Sequence, residues 1–112
     1  MQELGPVRVL VCTGRLGLLD ADGFEAALKP HLAVCRQGGS ALVLDFAGVD
    51  YISSAGLRVL MVADQQIREQ NGWAAVAALT ETVAEVFQVS RFDEVYRVFP
   101  SVEAARAAAP AG

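Results

Sequence analysis

The segment Ala41-Leu42-Val43-Leu44-Asp45-Phe46 constrains this chain more than any other. It is a nearly continuous apolar run rather than an alternation. A strand that reads this way is buried on both faces, as strands of a parallel sheet are. Parallel neighbours need long crossovers, usually helices, and the rest of the sequence supplies them. Val7 to Thr13 is β-branched and apolar and reads as a strand stopped by Gly14. Asp20 is placed as the N-cap of a helix carrying Phe24, Ala27, Leu28 and Leu32. Pro30 removes a donor inside that helix and predicts a bend near Lys29, before Gln37-Gly38-Gly39 ends it. A second helix is predicted from Ser54 to Gln70, with Leu57, Leu60, Met61 and Ile67 as its apolar set and Asn71-Gly72 closing it. Trp73 to Leu79 reads as a strand, and Thr80-Glu81-Thr82-Val83 opens a short helix through Val89. Val95 to Phe99 is the next strand, and Ser101 caps an Ala-rich terminal helix. The order β-α-β-α-β-α-β-α predicts an α/β fold whose parallel strands are joined by right-handed crossovers.

At 112 residues the chain is expected to form one domain, 1–112, with its core over about 7–108. With 54% hydrophobic and 20% charged residues, disorder is excluded as a description of the whole. The net charge of −4 and the dispersal of the nine Lys and Arg residues argue against nucleic-acid binding, which needs clustered cations. No segment approaches the roughly 18 apolar residues of a membrane span, and the N-terminal residues lack a signal-peptide pattern. A soluble cytoplasmic protein without membrane contact is expected. Cys12 reads as a small core hydrophobe, and Cys35, near a helix end, as partly exposed. The one histidine, His31, reads as structural. There is no Cys/His cluster for a metal, no Gly-rich phosphate loop with Lys and no G-x-S-x-G elbow. Asp20-Ala21-Asp22-Gly23 lacks the later ligands of a calcium loop and reads as a capped turn. No metal, cofactor or catalytic residue is expected, and an enzyme is the weakest of the readings.

Between the second strand and second helix lies Asp50-Tyr51-Ile52-Ser53-Ser54-Ala55-Gly56-Leu57. Two serines stand where backbone N–H groups lack helical partners and the aligned dipoles make the helix end electropositive. A hydroxyl there can cap the helix, or it can carry a phosphate. Gly56 in the first turn costs about 1 kcal/mol relative to Ala. A locally unfavourable glycine suggests close approach by something, for which an oxyanion or a partner surface would fit.

The stretch Leu42 to Leu57 resembles the signature of STAS domains, the bacterial anti-sigma factor antagonists and their relatives. That pattern is a strand ending in Asp, a short turn, an aromatic-apolar pair, then Asp-Ser-Ser/Thr/Ala-Gly-Leu. Gly14-Arg15-Leu16 is similar to the family's Gly-Glu-Leu-Asp element, Asn71-Gly72 to its loop after the second helix, Val86 to Phe92 to the stretch before the last strand, and Pro100 to Ala105 to the start of the last helix. The resemblance implies a STAS-like fold with a four- or five-stranded, mostly parallel sheet and about four helices. The fifth strand would come from Met1 to Leu4. Ser53 stands where the family has aspartate, and Gly17 replaces the aspartate of the Gly-Glu-Leu-Asp element.

The resemblance also implies a switch. A serine-kinase anti-sigma factor binds the unphosphorylated antagonist and releases its sigma factor. Phosphorylation of Ser54 (Ser53 being the lesser candidate) then dissociates the pair, and a metal-dependent serine phosphatase resets it. The expected contact surface comprises Asp50, Tyr51, Ile52, Ser53, Ser54 and Gly56 with the outer helix positions Arg58, Val62, Gln65 and Glu69. Alternatives within the family are an accessory subunit of a transporter ATPase or part of a signalling scaffold. A small-molecule or nucleotide sensor using the same helix terminus is a further reading.

Overall fold

The structure, a computed structural model, describes residues 7–16 and 21–110. Among the described residues four strands and four helices alternate: β1 (Val7–Leu16), α1 (Ala21–Val34), β2 (Ala41–Ile52), α2 (Ser54–Glu69), β3 (Ala74–Ala77), α3 (Glu81–Ser90), β4 (Arg97–Phe99) and α4 (Val102–Ala108). The strands form one sheet in the order β1-β2-β3-β4, and every neighbouring pair is parallel. The fifth strand envisaged at Met1–Leu4 lies outside the described residues, as do Gly17 and the proposed cap Asp20.

Period-two alternation sorts β2 and β3 onto two faces. Leu42, Leu44, Phe46 and Val76 meet Phe24 and Leu28 of α1, Leu60 and Ile67 of α2, and Val83 and Phe87 of α3 in the larger core. Phe46 stands edge-on to both Phe24 and Phe87, with ring centroids 6.4 and 6.3 Å apart. Val43, Ala75 and Ala77 face the other way, onto Ala105 of α4. The small side chains of Ala75 and Ala77 suit the close seat of that short helix. Helix α2 ends with Asn71 in the left-handed region (φ 55°) and the Gly72 N–H donating to the Ile67 carbonyl at 2.8 Å, the closure expected of Asn-Gly. Helix α1 continues through Pro30 as a single element.

Three expectations are corrected. Gly14 does not stop β1. With φ 83° it sits beside a register shift, and the strand runs on to Leu16. The residues Asp50 to Ile52, expected as a turn, are the end of a 12-residue β2. Between the pairs Val11↔Asp45 and Thr13↔Gly48 β2 carries an extra residue, and another lies between the pairs Gly14↔Val49 and Arg15↔Tyr51. Each bulge resets the alternation, so Phe46, Val49 and Ile52 all reach the core although they are spaced by three. Cys35 is fully buried rather than partly exposed, its thiol donating to the Trp73 carbonyl at 3.3 Å.

Candidate functional site

The two bulges carry the end of β2 out beyond β3, beside the end of β1, where the chain turns into α2. Ser53 is the N-cap of that helix, with φ −98° and ψ 176°. Its N–H donates to the Leu16 carbonyl at 3.0 Å. Its hydroxyl donates to the same carbonyl at 3.3 Å and accepts the Gly56 N–H at 3.5 Å. One side chain therefore satisfies a helix-end donor and ties the strand end to the helix start. Ser54 is the first residue of α2 and is exposed. Capping thus falls to Ser53 alone, and the exposed hydroxyl of Ser54 is the one presented to solvent.

Gly56 is buried, and its missing side chain has an internal reason. A Cβ there would lie 2.6 Å from the Leu16 carbonyl oxygen and 2.8 Å from Ile52 Cγ1. The close approach anticipated from the sequence is that of β1 and β2, with no oxyanion or partner needed to explain it. Ile52 is likewise buried, at 2% exposure. Both residues shape the site from beneath and are not part of its surface.

Asp50, Tyr51, Ser54, Arg58, Val62, Gln65 and Glu69 are exposed, and Ser53 is half-buried. Ser54, Arg58, Val62, Gln65 and Glu69 follow one another by three or four residues and so share a face of α2. Two features of this surface escaped the sequence reading. Met61, assigned there to the apolar core set, is exposed beside Val62, while Ala63 takes the core position. Arg15, on β1, lies over the Tyr51 ring with its guanidinium carbon 4.6 Å from the centroid. The pairing Arg15↔Tyr51 in the sheet register puts both side chains on the same side. The only available signal was the β1–β2 register, which the bulges hide.

Among the described residues no group of three or more His, Cys, Asp or Glu side chains is placed to hold a metal ion. The Cys12 thiol is pushed up to about 12 by burial, with Asp45 adding to the effect, and the Cys35 thiol is raised by burial. Neither is an activated nucleophile. No helix among the described residues is long and apolar enough to cross a membrane.

A parallel four-stranded α/β sheet leads into a helix capped by Ser53, with Ser54 exposed at its first position. The STAS domain profile matches residues 1–105, and the chain belongs to the STAS domain family. It is 35% identical over 108 residues to BtrV of Bordetella bronchiseptica, named a candidate anti-sigma factor antagonist, covering 96% of this chain and 90% of BtrV. Its fold is similar to a candidate anti-sigma factor antagonist from Thermotoga maritima (TM-score 0.80, 20% identity, 96% of this chain and 92% of that one). It is equally close to an anti-sigma factor antagonist from Mycobacterium paratuberculosis (TM-score 0.80, 22% identity, 91% and 84%). The phosphorylated form of the Bacillus cell fate determinant SpoIIAA also shares the fold (TM-score 0.65, 16% identity, 96% and 97%).

Proposed function

We propose that this chain is an anti-sigma factor antagonist whose unphosphorylated form binds a serine-kinase anti-sigma factor and frees the sigma factor, and that phosphorylation of Ser54 ends the association. The observation that carries this reading is the division of labour at the turn. Ser53 caps the helix, so Ser54 can be modified without removing a cap hydrogen bond. Ser53, by contrast, has its hydroxyl proton committed to Leu16 and a lone pair to Gly56. The 35% identity to BtrV across nearly the whole chain supports the regulatory role.

The chemistry favours a switch at the interface. A phosphoserine carries about −1.5 to −2 charges at neutral pH. The electropositive start of α2 tolerates that charge, so the fold persists. A partner surface fitted around a neutral hydroxyl does not, because the dianion meets repulsion and a desolvation penalty there. The partner-facing surface is then Asp50, Tyr51, Ser54 and the exposed stripe Arg58, Val62, Gln65 and Glu69, in a compartment shared with the transcription machinery. A metal-dependent serine phosphatase would restore the hydroxyl.

The test is a pull-down with wild type and Ser54→Asp, followed by incubation of the captured kinase with ATP and mapping of the modified residue. A partner retained by wild type and lost by Ser54→Asp, with phosphate on Ser54 and none on Ser54→Ala, is the expected result. Equal retention by both proteins would overturn phosphorylation as the release signal. A transport ATPase captured in place of a kinase would replace the reading with an accessory-subunit role.

A further inference from the structure

We propose that Arg58 is the internal counter-ion of phosphorylated Ser54, closing onto the phosphate along the face of α2; the proposal rests on Ser54 being the acceptor. Both residues lie in α2, four positions and about one turn apart. Helical side chains lean toward the N-terminus and cover the turn preceding their own Cα. By that geometry an arginine at position 58 has the turn that begins at Ser54 within its reach, and both residues are exposed.

Among the described residues no ion pair engages Arg58; the pairs that form there are Arg68–Asp64 and Arg91–Glu94. The first turn of α2 has no acidic residue, so no carboxylate of that turn competes for the guanidinium. Of the charges on the adjoining strand ends, Arg15 is held over Tyr51, and Asp50 is an exposed carboxylate that forms no ion pair within 4.0 Å among the described residues. A phosphate at position 54 would bring three acceptor oxygens to a planar donor fork, the match that favours Arg over Lys.

One modification thereby alters two positions of the exposed face. The hydroxyl of Ser54 becomes a dianion, and the cation of Arg58, available to a partner beforehand, is drawn onto it. The added charge is partly balanced within the helix, which keeps the released form folded and ready for dephosphorylation.

The test installs phosphoserine at position 54 during translation, so no kinase is needed. Unfolding by urea is compared for four proteins: serine or phosphoserine at 54, each with Arg58 or Arg58→Gln. The effect of phosphorylation on the unfolding equilibrium constant is expected to be about 2- to 5-fold more stabilising with Arg58 than in Arg58→Gln. The difference should vanish in about 1 M salt, as an exposed ion pair requires. A phosphorus NMR titration should place the second ionisation of the phosphate lower in the Arg58 protein than in Arg58→Gln, and Arg15→Gln should leave it unmoved. Absence of coupling in both measurements, or coupling that belongs to Arg15, overturns the proposal. Finding wild type unphosphorylated by any captured kinase would remove the preceding reading yet leave this coupling measurable, so the two failures are distinguishable.

Discussion

The hydroxyl of Ser53 donates to the Leu16 carbonyl at 3.3 Å and accepts from Gly56 at 3.5 Å, making one side chain the joint between β1 and α2. Ser53→Ala removes both bonds and is expected to cost about 1 kcal/mol in urea unfolding, the usual worth of a serine cap. Ser53→Asp keeps the acceptor but loses the donor and turns a carboxylate toward a carbonyl oxygen, so it should recover only part of that loss. Ser54→Ala should lie within about 0.5 kcal/mol of wild type, as exposed positions do. If Ser54→Ala were the costlier change, the assignment of cap and exposed hydroxyl would be reversed.

Gly56→Ala sets two opposing effects against each other. Alanine is intrinsically better in a helix by about 1 kcal/mol. Its methyl would also sit 2.6 Å from the Leu16 oxygen and 2.8 Å from Ile52, a backbone atom and a buried side chain with little room to move. Overpacking of this kind costs about 1–3 kcal/mol, so net destabilisation is expected in a thermal or urea melt. A neutral or stabilising result would mean that the joint between β1 and α2 is loose.

Tyr96 donates from its hydroxyl to the Leu60 carbonyl at 2.7 Å inside the core. Tyr96→Phe should cost on the order of 1 kcal/mol. The phenol ionises well above its usual 10, chiefly through burial, with Asp64 and Cys35 adding and Arg68 opposing. For an acid whose folded value is raised, the protonated folded form is favoured, so this contribution is intact below pH 10 and is lost as pH rises above it. Absorbance at 295 nm should show Tyr96 ionising together with loss of the near-UV circular dichroism signal. In Tyr51→Phe, which leaves Tyr96 as the one tyrosine, ionisation within a folded protein near pH 10 would contradict the burial.

The two thiols are expected to be inert in the folded state. Cys12, pushed up to about 12, holds almost no thiolate at pH 8, and Cys35, raised by burial and opposed by its bond to Trp73, is fully buried from the reagent. A thiol-specific chromogenic reagent should label both in urea and neither, over the same minutes, in buffer. Fast labelling in buffer would mean that the α1 end opens readily if Cys35 reacts, or that β1 does if Cys12 reacts.

The sequence reading and the structure agree where periodicity is undisturbed. The nearly continuous apolar run at Ala41–Phe46 announced a parallel sheet, and the spacing of Leu60 and Ile67 oriented α2. It failed where backbone geometry breaks the period. The bulges of β2 space Phe46, Val49 and Ile52 by three, which reads as the end of a strand followed by a turn. Gly14, with its positive φ, reads as a stop although the strand continues. Cys35 looked partly exposed because its burial depends on Trp73 and Gly72, residues distant in the chain. The serine turn was visible as a motif, but which serine caps depends on the Leu16 carbonyl, a contact 37 residues away in sequence.

Val62 offers the sharpest separation of surface from fold. It is 52% exposed on α2, next to exposed Met61 and in line with Arg58, Gln65 and Glu69. Its apolar side chain contributes little to the core, so Val62→Asp should change stability by less than about 0.5 kcal/mol. In an interface the same change would bury an unpaired carboxylate, which costs several kcal/mol and so more than a hundredfold in affinity. Val89, 84% exposed on α3, provides the matched control, since Val89→Asp makes the same chemical change on a different helix. Titration calorimetry with the captured kinase should therefore show binding lost for Val62→Asp and retained for Val89→Asp, with both proteins melting like wild type. Binding unchanged in Val62→Asp, or lost equally in both, would move the partner surface off this face of α2.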